Sequence, residues 1–118
     1  MLIHKFDVEP VCCAVCRRAA VGFGYAPRQG KPVAWLCDEP DCLTLGKTVF
    51  HMPRKHLSQY EAFSLHEAGQ EAGAYLESID KFNLADLTEE EWIHFLKIVL
   101  NAFGENMRSR LLSHAAPF

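Results

Sequence analysis

Five cysteines, Cys12, Cys13, Cys16, Cys37 and Cys42, all fall within the first 42 residues of the chain. Their number and spacing suit a metal better than disulfides. An odd count cannot pair off completely, and in a reducing compartment paired thiols hold metal more often than they oxidise. Two residues separate Cys13 from Cys16, a spacing at which one tight turn presents both sulfurs to a tetrahedral zinc at about 2.3 Å. A second pair, Cys37 and Cys42, follows with four residues between its members. Cys13, Cys16, Cys37 and Cys42 are therefore the expected ligands of a structural Zn2+. Cys12 in place of Cys13, and His51 in place of a cysteine, are the alternatives. A closed four-sulfur site leaves no position for water, so the expected role of the metal is structural.

No other grouping offers catalysis. His4, His51, His56, His66, His94 and His114 are dispersed, and none stands at a readable spacing from a nucleophile. The chain has no glycine-rich phosphate loop, no metalloprotease helix motif and no paired general acid and base, so it is not expected to be an enzyme.

The elements that position the cysteines are legible. Gly22, Gly24 and Gly30 are turn signals, and Val33, Trp35 and their neighbours favour strand, which predicts a β-hairpin between the cysteine pairs. Asp38 is the expected cap of a following helix, with Pro40 in its first turn and residues 43–50 continuing it. Knuckle, hairpin and helix in that order match a treble-clef zinc module, with Cys42 in the helix's opening turn. Two longer helices follow. Ser58 and Glu61 have capping-box spacing and predict a helix over residues 59–79; Thr88 and Glu91 predict another over 89–113. In the first, Leu65, Ala68, Gly69, Ala72, Gly73 and Leu76 form a small-residue stripe, expected to pack closely inside the domain. In the second, Trp92, Leu96, Val99, Phe103, Met107 and Leu111, widened by Ile93, Phe95 and Leu100, form a broad face expected to be buried. The two should pack as an antiparallel hairpin.

Composition sets the frame. The 118 residues are 49% hydrophobic and 23% charged, ordinary values for one globular domain. No apolar run approaches the length of a membrane span, and the N-terminal residues do not read as a signal peptide, so a cytoplasmic location is expected. The net charge of −3 divides unevenly: residues 1–57 carry +3 and residues 58–118 carry −6. The predicted organisation is a zinc-binding hairpin-and-helix module over 1–57 packed on a helical hairpin over 58–118. The fold class is α+β, and the two parts form one compact domain.

The run Cys13-x-x-Cys16, Gly22-Phe-Gly-Tyr25, Trp35-Leu-Cys37 and Cys42 resembles small phage- and prophage-encoded proteins that carry a domain of unknown function. Three segments extend the resemblance across about residues 12–112: Glu71-Ala-Gly-Ala-Tyr-Leu76, Leu84-Ala-Asp-Leu-Thr88 and Glu91-Trp-x-x-Phe-Leu96. It implies a phage origin, hence the host cytoplasm, and no established chemistry.

Two functional expectations follow. The first is a non-catalytic accessory protein that binds a host or phage protein, as a regulator or an antagonist of host defence, either as a monomer or as a homodimer. The second is nucleic-acid binding in phage transcription or replication, through a basic surface built from Arg17, Arg18, Arg28 and Lys31, with Phe23, Tyr25 and Trp35 as stacking platforms.

Overall fold

A computed structural model of the chain describes residues 12–27, 29, 30 and 33–113. A tight turn at the first cysteine pair leads into strand β1 (Phe23–Tyr25), which pairs antiparallel with β2 (Ala34–Leu36). Phe23 lies opposite Leu36 and Tyr25 opposite Ala34. Gly22 and Gly30 hold φ of +97° and +88°, a region that side chains disfavour and glycine enters freely. Helices α1 (Pro40–His51), α2 (Arg54–Ser78) and α3 (Glu89–Ser113) follow.

The helix starts separate what local sequence decides from what neighbours decide. At α3 the capping box forms: the Glu91 amide donates to Thr88 Oγ1 at 3.1 Å, and the Thr88 amide donates to Glu91 Oε1 at 2.9 Å. Asp38 does not cap α1; Glu39 occupies the cap position and makes no side-chain cap bond. The proline at the next position is the cause. Pro40 fits the first helical position and forces the residue before it into extended backbone, here φ −67°, ψ 125°. The Ser58–Glu61 box is likewise not used, because α2 starts earlier, at Arg54. Pro53 ends the preceding chain direction, and its carbonyl accepts from the His56 and Leu57 amides at 3.0 and 3.1 Å, winding the first turn. Ser58 then lies inside the helix, and Glu61 bonds to Arg17 instead.

One core joins the first half of the described chain to α3. Val15, Leu36, Leu45, Val49 and Met52 from the first half pack with Met107 and Leu111 of α3, and the four buried cysteines lie in the same cluster. Leu57, Tyr60 and Phe103 close it from the hairpin side. The architecture is thus mixed: a two-stranded antiparallel sheet, three helices and a cysteine cluster.

Two expected buried faces are only partly buried. Ala68 and Ala72 are buried in α2, but Leu65 is 57% exposed, and nothing lies within 4 Å of where a Cβ would stand at Gly69 or Gly73. The close backbone approaches occur elsewhere, at Gly46 against Leu36 and at Gly104 against Cys16. On α3, Trp92, Ile93, Leu96 and Leu100 are exposed at 39–44%. The reason is reach. A 25-residue helix is about 37 Å long, and the cysteine knuckle with α1 covers only its C-terminal part.

Candidate metal centre

The first cysteine pair sits on a tight knuckle. The Cys13 amide donates to the Arg18 carbonyl at 2.6 Å, and the Arg17 amide returns to the Cys13 carbonyl at 3.1 Å. A backbone bond from Ala14 N–H to the Trp35 carbonyl, 2.7 Å, ties the knuckle to β2. Cys37 follows β2 directly, and Cys42 is the third residue of α1, in the helix's opening turn. Three separate elements therefore aim thiols at one point.

They converge closely. The Sγ atoms of Cys13, Cys16, Cys37 and Cys42 all lie within 4.8 Å of one another, and all four residues are buried. Sulfurs at 2.3 Å from a tetrahedral zinc stand about 3.8 Å apart; Cys16 Sγ and Cys37 Sγ are 3.7 Å apart. The donor set is four soft sulfurs, of the kind that selects zinc or an iron–sulfur centre over hard cations. Such a cluster could hold a metal ion with no coordination position left over. Cys12 is exposed and outside it, and His51 packs edge-on to Tyr25 and Phe50, at ring separations of 6.2 and 5.1 Å.

Electrostatics favours a cation here. Burial pushes the Cys42 thiol well above its ordinary value, reinforced by the charges of Cys13 and Cys16 and opposed by Arg108. Burial likewise raises Cys16. Burial also works to raise Cys13, but backbone amides of Cys16, Val15 and Cys37 outweigh it and hold this thiol at about 7. The Val15 amide stands 3.4 Å from Cys13 Sγ, and the Glu39 amide 3.5 Å from Cys37 Sγ. The Val15 amide favours thiolate at Cys13, while four buried thiolates together repel one another unless a positive charge sits among them.

Two residues that spacing did not reveal complete the surroundings, and both come from α3. Arg108 places Nη1 3.8 Å from Cys42 Sγ and lines a cavity of about 370 Å³ with Cys16, Arg18, Cys37, Asp38 and Glu39. Gly104 lets α3 approach the knuckle: a Cβ there would stand 3.0 Å from Cys16 Cβ and 3.3 Å from the Cys16 carbonyl. The signal was a glycine in a helix interior with arginine four residues on, which puts both on one face.

The candidate basic surface is partly committed within the fold. Arg17, in the left-handed region at φ 69°, bonds to the Ala14 carbonyl and pairs with Glu61 of α2. Arg18 donates to Asn101 Oδ1 of α3 at 2.7 Å. Arg28 and Lys31 lie outside the described residues. Among the aromatics, Phe23 is 53% exposed, whereas Tyr25 packs on Phe50 at 5.4 Å and Trp35 is half-buried.

No helix among the described residues is long and apolar enough to cross a membrane. No curated protein and no solved structure matches the chain. A family model does match residues 55–118, more than half of the chain, which span α2 after its first residue and all of α3, Gly104 and Arg108 included. The chain belongs to this family of unknown function, DUF6511.

Proposed function

We propose that the protein is a non-catalytic zinc-binding accessory module of phage type that acts by binding a protein of the host or the phage. The observation that carries this reading is the closed cluster of four buried cysteines, Sγ atoms within 4.8 Å of one another. Four sulfurs fill a tetrahedral zinc, and no position remains for an activated water. The metal's contribution is then to folding: the buried apolar side chains of residues 10–50, Val15, Leu36, Leu45 and Val49, share their core with α3, and metal binding adds to that small core. The order of knuckle, hairpin and helix supports a treble-clef arrangement around that metal. The phage setting rests on the motif resemblance of the knuckle, hairpin and helical segments.

Engagement of Arg17 by Glu61 and of Arg18 by Asn101 favours a protein partner over nucleic acid. The test is direct. The zinc-loaded chain is expected to give no mobility shift with single- or double-stranded DNA or RNA from low to physiological salt, and to capture protein when immobilised. A salt-dependent shift, abolished by charge reversal at Arg17, Arg18 and Arg28, contradicts the reading and supports nucleic-acid binding instead.

A further inference from the structure

The open half of α3 carries an uncovered apolar strip. Along one side of this helix Ile93, Leu96, Leu100, Gly104, Met107 and Leu111 recur at three- and four-residue steps, so they form a single stripe. Its C-terminal half is covered: Gly104, Met107 and Leu111 are buried against the cysteine module. Its N-terminal half is not, and Trp92, Ile93, Leu96 and Leu100 leave an exposed apolar strip of the kind that marks an association surface.

What flanks the strip says what covers it. Glu90 and Lys97 line one edge, in an open groove of about 380 Å³ shared with Glu89, Ile93 and His94. Both are exposed, and neither belongs to an ion pair among the described residues. Seven residues are two helical turns, so both stand on the same edge. In an antiparallel helix pair, like edges meet. A second α3 laid antiparallel, with its centre between Ile93 and His94, therefore sets Glu90 beside Lys97 of the second copy and Lys97 beside its Glu90. In a parallel pair this edge instead meets the opposite edge of the second copy, so Glu90 and Lys97 do not meet each other there. The antiparallel alignment also carries Leu100 over the turn between α2 and α3 of the second copy, where Phe82 and Leu84 are 67% and 46% exposed.

We propose that the exposed N-terminal half of α3 is an isologous homodimer interface, in which two antiparallel α3 helices pair through Ile93 and Leu96 with reciprocal Glu90–Lys97 contacts, and Leu100 lies against the α2–α3 turn of the second copy. The inference does not require metal at the cysteine cluster and is independent of the proposed host or phage partner.

The experiment is sedimentation equilibrium of the full chain across the micromolar range, with helical circular dichroism and metal content recorded for every variant. The parent is expected at twice its 13.4 kDa chain mass. Leu96→Glu, an exposed position, is expected to keep its helical signal and dissociate at least about tenfold more readily. Glu90→Lys and Lys97→Glu are each expected to weaken the dimer, and the double exchange to restore it. This pair decides the matter if Leu96→Glu fails to fold. A parent that stays monomeric overturns the proposal and leaves the strip for a different protein; a dimer indifferent to Leu96→Glu, or a double exchange no better than its singles, overturns it as well.

Discussion

The Arg108 guanidinium on α3 lies 3.8 Å from Cys42 Sγ on α1, joining groups 66 residues apart. This contact ties the cysteine cluster to the helical hairpin. Burial alone disfavours a charged arginine, and proximity to the Cys42 and Cys16 thiols reverses that, keeping the group firmly protonated. A positive charge held beside sulfur also lessens the repulsion among thiolates.

Arg108→Leu is therefore expected to release bound metal to a chelator about tenfold faster than the parent chain. Arg108→Lys keeps the charge without the planar fork and should fall between them. Stopped-flow mixing with a chromogenic chelator reads the rate, and equal rates for all three contradict the role given to Arg108.

The two kinds of helical glycine should respond oppositely. Gly104→Ala places a methyl 3.0 Å from Cys16 Cβ and 3.3 Å from its carbonyl oxygen, so an overpacking cost of about 1–3 kcal/mol is expected. Gly69→Ala meets open space and should stabilise α2 by about 0.5–1 kcal/mol through backbone entropy. Urea unfolding of both variants checks the sign of each. A neutral Gly104→Ala removes the close contact between α3 and the knuckle.

Thr88→Ala should cost about 1 kcal/mol as a lost helix cap. Its partner predicts a pH dependence. The Lys81 ammonium, 2.7 Å away, and the Thr88 amide hold the Glu91 carboxyl below its ordinary value. The folded state thus binds this proton less readily than the unfolded chain. The stability that Glu91 lends is full above the unfolded carboxylate pKa and is lost as pH falls through the depressed folded value. Glu91→Gln should flatten the acid side of the stability profile, and an unchanged profile contradicts the assignment.

Metal loading should weaken on acidification, because Cys16 and Cys42 are raised by burial and protons compete with metal for every sulfur. Cys12→Ser should load as fully as the parent, whereas serine at Cys13, Cys16, Cys37 or Cys42 should lower metal content. Elemental analysis after gel filtration separates the two classes; a Cys12 variant that loses metal contradicts the ligand set.

How much the residues announced in advance follows from the range of the forces involved. The four clustered cysteines were legible because their spacing is a local constraint on turns. The α3 start was legible because the Thr88–Glu91 box is satisfied within four residues. The Ser58–Glu61 box has the same local form, but Pro53 starts the helix upstream and Arg17 claims the glutamate. Periodicity showed that α3 has a wide apolar face. It does not carry the length of what covers that face, so burial of Met107 and exposure of Leu96 could not be told apart. By position alone Arg108 merely suits the C-terminal end of a helix dipole; its approach to Cys42 depends on how α3 docks.

The central claim is that the four cysteines hold one structural zinc. Native mass spectrometry of the purified chain, before and after acid denaturation, tests it most directly. The expected result is one zinc per chain under native conditions, lost together with the fold in acid. A folded, full-length chain that carries no metal contradicts the claim and leaves the four cysteines as buried thiols.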